Sequence, residues 1–98
     1  MTPADVRLHP DAADEAEEAY RWYRERSQTA AVAFRTRLRQ AIALIAEAPE
    51  RHRRYLHGTR RILLPRFPYL VVYRIADDGI EVIAVAHGRR RPGYWLGR

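Results

Sequence analysis

The chain contains no cysteine and no lysine. Without thiols there are no disulfides and no thiolate metal sites, and a reducing cytoplasmic location fits. All 18 cationic side chains are therefore arginine, the residue that grips phosphate and carboxylate with two parallel hydrogen bonds. Nor is there an apolar run near the roughly 18–20 residues of a membrane span, and the N-terminus lacks a signal-peptide pattern. No membrane association is expected. The four histidines are scattered with no ligand spacing, which argues against a metal. No cofactor motif is present. At 98 residues the chain is expected to form one domain, residues 1–98, with a core of its own.

What is present is unevenly placed. Residues 1–50 hold 7 arginines against 9 acids, a net of −2. Residues 51–98 hold 11 arginines against 3 acids, a net of +8. The excess charge clusters beside apolar strands rather than along a helix. That pattern suits a polyanion or an acidic protein partner.

Periodicity predicts an α+β fold. Val6–His9 alternates as a short strand, and Pro10 suits the first turn of a helix. Ala12, Ala16, Ala19, Tyr20 and Tyr23 recur at helical spacing, with Glu15, Glu17 and Glu18 largely off that stripe. Ser27 is a candidate N-cap for a second helix. Its stripe is Ala30, Phe34, Leu38, Ala41, Ile42 and Ile45, and Pro49 ends it. Three or four residues are expected between the helices, giving an antiparallel hairpin. Strands are predicted at 59–64, 69–76 and 80–87, the last two joined by a tight Asp77-Asp78-Gly79 turn. The expected architecture is an antiparallel sheet with the two-helix hairpin on one face, in the order β-α-α-β-β-β. The last two strands are apolar on both faces, so the face away from the helices needs a cover. The chain itself offers only its C-terminal tail, so a partner protein is expected on that sheet face or along the helices.

Candidate functional residues gather at the ends of these strands. His87 closes the last strand beside Gly88 and the run Arg89-Arg90-Arg91; it is either a general base or a strand-end residue bonded to the backbone. Tyr94 and Trp95 either cap the small core or stack on bases. Arg60 and Arg61 open a strand, one to each face. Arg74 shares a strand face with Leu70, more than about 10 Å further along at roughly 3.3 Å per residue. Arg35 and Arg39 lie one turn apart on the polar side of the second helix. His52 and His57 are read as solvated loop residues.

The stretches AEEAYRWYRERS, FRTRLRQAIALIAEAP, GTRRILLPRFPYLVVYRI and IEVIAVAHGRRRPGYW, in this order and at this length, resemble the RelE/ParE superfamily of toxins from bacterial type II toxin–antitoxin systems. RFPYLVVYRI is closer to the ParE-like, plasmid-stabilising members. The resemblance implies a cognate antitoxin as partner, with operator DNA reached only through it. It also implies one of two activities, inhibition of DNA gyrase by binding or ribosome-dependent cleavage of mRNA; a third outcome is a non-toxic member that only binds its antitoxin and co-represses their operon.

Individual positions bear on that choice. Ribonuclease-type members carry an arginine three residues before the strand tyrosine, where this chain has Leu70. Arg60 matches the G-x-R of the family pattern, and Arg89 matches a phosphate-binding arginine just past the last strand. Trp95 falls near a tail tyrosine of the ribonucleases, and an indole transfers no proton there. Gyrase inhibition is therefore the leading expectation, with Arg60, Arg74, Arg89, Arg90, Arg91, Tyr94 and Trp95 as target-binding residues. The helix-pair groove around Arg35 and Arg39 and the exposed sheet face are expected to meet the antitoxin. Under the mRNA endonuclease alternative, His87 is catalytic, with Arg60, Arg74 and Arg89 around the phosphate.

Overall fold

The structure is a computed structural model that describes residues 5–98. The chain opens with β1 (Val6–Leu8), followed by α1 (Pro10–Arg26) and α2 (Gln28–Glu47). A two-residue strand β2 (Arg53–Arg54), a 3₁₀ turn (Leu56–Gly58), β3 (Arg60–Leu63), β4 (Tyr69–Ala76) and β5 (Gly79–His87) complete it. The predicted α+β class and element order are present; β2 is an addition. The sheet runs β1-β5-β4-β3-β2 and is antiparallel except at one edge, where β1 runs parallel to β5.

Pro10 starts α1, and the His9 ring caps it by accepting from the Asp11 amide at 3.1 Å. Ser27 alone separates the helices, in place of the three or four residues expected. Its extended backbone (φ −161°) donates to Tyr23 O and ends α1, while its Oγ accepts from the Ala30 amide and starts α2. One residue does both jobs because a serine oxygen satisfies a helix-start amide. Ala48 ends α2, as the residue before Pro49 is driven out of the helical region.

The helices cover one sheet face. Ala12 and Ala19 of α1 and Ala31, Phe34, Leu38, Ala41 and Ile45 of α2 are buried. They meet Val71, Tyr73, Ile80, Val82 and Val85. The buried alanine at the start of α2 is Ala31, not Ala30; positions 31, 34, 38, 41 and 45 hold one face better. Phe34 centres an aromatic cluster with Tyr23, Phe67 and Tyr69, at ring separations of 5.5, 5.5 and 5.3 Å.

An irregularity between Val72 and Tyr73 puts Ile83 and Ala84 together on the other face. Trp95, only 3 % exposed, lies on them with Val72 and Ala86. The chain's own tail thus buries these residues, in place of the partner protein expected there. The hairpin from β4 to β5 closes through Asp77-Asp78. Gly79 follows at φ +136°, where an added Cβ would sit 3.1 Å from Asp5 O, so both conformation and space call for glycine.

Candidate functional site

β1 stops at Leu8, and its last rung to β5 is His9 N–H to Val82 O at 2.8 Å. Beyond that rung the outer edge of β5 would face solvent with unpaired backbone groups. Side chains finish it. Glu15 of α1 accepts the Val85 amide at 3.0 Å, and Arg98 donates to Ile83 O at 2.9 Å. Arg98 also forks onto both oxygens of Glu15, which further accepts the Tyr94 hydroxyl. Burial and the Glu15 carboxylate push the Tyr94 phenol well above its ordinary range, and the same carboxylate raises the Arg98 guanidinium. The tail is therefore fixed at three points: Trp95 in the core, and Tyr94 and Arg98 on helix α1.

Between Trp95 and the end of β5 the chain must turn back, and the turn carries the arginines. Gly88 N–H bonds Pro68 O at 2.7 Å, and Arg90 N–H bonds His87 O at 3.0 Å. Arg89, Arg90 and Arg91 are all exposed. Arg90 lies over the Tyr94 ring at 3.9 Å, a cation–π contact that holds its charge beside the tail. None of the three arginines forms an ion pair among the described residues.

Beside this turn, between α1 and the ends of β4 and β5, lies a cleft of about 370 Å³. Trp22, Tyr23, Tyr69, Tyr94, Glu18 and His87 are among its walls. Trp22 is half exposed, with Arg26 over its ring at 3.7 Å. Tyr69 is raised by burial first and then by Tyr23, Glu18 and Glu15. The His87 ring packs edge-on against Tyr69 at 5.1 Å, and its Nδ1 accepts the Arg89 amide at 3.0 Å. In that tautomer the remaining ring nitrogen is a donor. This cleft joins elements some seventy residues apart and was not foreseen in the sequence.

The other predicted residues scatter. Arg60 points to the helix side and donates to Glu50 O and His52 O, fixing the loop after α2. Arg61 faces the other way, 5.0 Å over the Tyr55 ring. Neither pairs with an acid among the described residues. Arg74 is held at 2.6 Å by Glu81, its cross-strand neighbour, and bonds Arg98 O. Arg35 spans the helices, over the Tyr20 ring at 3.6 Å and 3.5 Å from Glu17; Arg39 is exposed on the same side. His52, in the loop after α2 and half-buried, lies within hydrogen-bond distance of Leu44 O near the end of that helix, at 3.3 Å. His57 takes a left-handed conformation (φ +56°) with its ring 6.1 Å from Trp95.

So the structure gathers His87, Arg89, Arg90, Arg91 and Tyr94 at one corner and leaves Arg60, Arg74, Arg35 and Arg39 elsewhere. Trp95 is spent on the core. Among the described residues no helix is long and apolar enough to cross a membrane.

Known proteins share this plan. A chromosomal ParDE toxin–antitoxin system from P. aeruginosa superposes with a TM-score of 0.74 at 14 % identity, over 85 % of this chain and 94 % of that one. At that identity the likeness concerns the fold. The toxin ParE2 of Mycobacterium tuberculosis, in strains CDC 1551 and H37Rv, is 28 % identical over 88 residues, which is 89 % of this chain and 84 % of the relative. The family model for the ParE toxin of the type II parDE toxin–antitoxin system matches residues 6–92. With β1 through the arginine turn inside that match, the chain belongs to the ParE toxin family and is the toxin component of a ParDE-like system.

Proposed function

We propose that this toxin arrests growth by binding DNA gyrase through the Arg89–Arg91 turn and the aromatic cleft beside it, without breaking a bond in its target. The observation that carries this reading is the locked tail. Trp95 in the core and the Glu15–Arg98 fork hold the turn rigid, so three arginines project from a fixed platform. A preorganised cationic projection gains affinity because little ordering is lost on binding. The His87 Nδ1 is engaged by the backbone, and arginine is a poor proton-transfer group; both favour binding over cleavage.

Its cognate antitoxin holds the toxin inactive. An acidic segment with spaced aliphatic residues suits the helix pair near Arg35 and Arg39, where Val32, about one turn before Arg35, is exposed. The sheet face away from the helices is the second contact: Trp95 covers its middle, and Leu63 is exposed at its side opposite Leu70.

The deciding experiment runs a gyrase supercoiling assay beside a translation assay. Loss of supercoiling with intact mRNA is the expected result. Codon-positioned cuts in translated mRNA, with supercoiling unaffected, would replace this reading with the endonuclease; neither effect would leave a non-toxic antitoxin-binding member.

A further inference from the structure

The edge formed by β2 and β3 carries more charge than the fold uses: Arg60 holds the loop after α2 and Arg61 lies over Tyr55, while Arg53 and Arg54 make no side-chain hydrogen bond or ion pair among the described residues. Residues 51–61 contain five arginines and no acid. In the antiparallel register Arg53 stands directly opposite Arg61, and Arg54 opposite Arg60. Directly opposed like charges destabilise a strand pair, and edge strands can be kept from aggregating with far fewer charges. No ion pair among the described residues involves Arg51, Arg53, Arg54, Arg60 or Arg61. The free protein thus holds two like-charge pairs without a counter-ion.

The two pairs lie on opposite faces of the edge. Arg61 sits with Tyr55 on the Trp95 side, so Arg53 opposite it points that way. Arg60 reaches the loop after α2 on the helix side, so Arg54 points there. At the β2–β3 turn, Arg54, Tyr55, Gly58, Thr59 and Arg60 line a groove of about 250 Å³, large enough for a phosphate. Arg53 and Arg54 are exposed, and Arg51 just before them adds a further exposed charge.

We propose that the β2–β3 edge is a phosphate-binding edge by which the toxin itself holds duplex DNA. A groove of the double helix presents a phosphate rail on each side of whatever enters it, and the major groove, about 12 Å wide, admits a two-stranded β-ribbon. Two strands about 4.8 Å apart, with guanidinium groups on both faces, match that two-sided charge. An acidic peptide added as a strand along the β2 edge would also send alternate side chains to both faces, and it is the competitor that the test includes. The contact is sequence-independent, because guanidinium–phosphate bonds position a protein without reading bases. It adds a direct DNA contact to the one expected through the antitoxin, and it needs no gyrase.

The test measures binding of a fluorescent mixed-sequence DNA duplex to the full-length toxin, free and in complex with its antitoxin, across a salt series. The variant is R53Q/R54Q, compared with wild type and with a variant carrying alanine at Arg89, Arg90 and Arg91. The double variant should lose about fivefold in affinity per arginine removed, the upper range for exposed ion pairs. The slope of log affinity against log salt should shrink by about 0.9 for each lost phosphate contact. Its melting temperature without DNA should rise at low salt, because the opposed charges are gone. Unchanged duplex affinity, or a fall in melting temperature, would overturn the proposal. So would tighter binding of polyglutamate or single-stranded RNA than of the duplex, which would reassign the edge to an acidic peptide or to RNA.

Discussion

Arg98 donates its two terminal nitrogens to the two oxygens of Glu15, at 2.9 and 3.1 Å, joining the end of the tail to the second turn of α1. Both side chains are largely buried, at 15 and 14 % exposure. A fork of this kind is geometrically specific as well as strong. Here it replaces the missing strand along β5, with Glu15 serving the Val85 amide and Arg98 the Ile83 carbonyl. The basic turn is consequently held at both ends, by the β5 ladder and by this clamp.

Replacing Glu15 with alanine should be the most damaging polar substitution in the chain. It leaves the Arg98 guanidinium, the Tyr94 hydroxyl and the Val85 amide short of a partner. Removing one member of a buried pair costs about 3–5 kcal/mol. Glu15→Gln keeps an acceptor oxygen and should lose clearly less. Urea unfolding of the three proteins measures both; equal stability for wild type and the alanine variant would show that the clamp contributes nothing.

Stability should decline in alkali. Tyr23, Tyr69, Tyr73 and Tyr94 all have phenols raised above the ordinary 10.0, chiefly by burial. A group whose folded value is raised stabilises the fold fully below the unfolded value and loses that contribution as pH climbs through the folded one. Thermal melts should therefore be flat in this respect up to about pH 10 and fall beyond it. Tyr94, hydrogen-bonded to Glu15, has the largest share, so Tyr94→Phe should flatten the alkaline decline. Phenolate absorbance followed along the same titration identifies the groups responsible.

Trp95 acts through packing, and the variants separate that role from base stacking. Trp95→Ala removes a nearly fully buried ring and should cost about 3–5 kcal/mol. Trp95→Phe keeps an aromatic core contact and should retain both the fold and growth arrest. Phe34→Ala, at the centre of the helix-side aromatic cluster, should destabilise by a similar amount. Retained toxicity in the Phe variant, with loss in the alanine variant tracking its melting temperature, is the expected outcome.

The sequence made the helices, the three long strands and the hairpin legible because their periods of 3.6 and 2 are long and uninterrupted. It hid what depends on distance along the chain. Glu15 looked polar and off the stripe, yet it stands three residues after Ala12 and four before Ala19, on the face that turns inward. Nothing local says that its partner is Arg98, because that pairing exists only once β5 lies under α1. The cleft is hidden for the same reason. Arg60 and Arg74 carried a family pattern and a strand parity, but neither reveals that backbone carbonyls and Glu81 already hold them. β2 is two residues of arginine with no apolar period at all.

The last prediction sets His87 against the arginine turn. Replacing Arg89, Arg90 and Arg91 with alanine removes exposed side chains that make no ion pair among the described residues, so the fold should survive. Under the proposed mechanism growth arrest should be abolished, because there the cationic projection is what meets the target. His87→Gln keeps a side chain able to accept the Arg89 amide while removing a titratable ring. Under gyrase inhibition it should cost little. Under RNA cleavage it should lower activity by roughly 10²–10⁴-fold, the usual weight of one acid–base group. Circular dichroism confirms that each variant is folded before growth is scored. Because His87 also lines the proposed binding cleft, a folded His87→Gln protein that has lost cleavage of translated mRNA shown by the wild type would reject the binding mechanism in favour of the catalytic one.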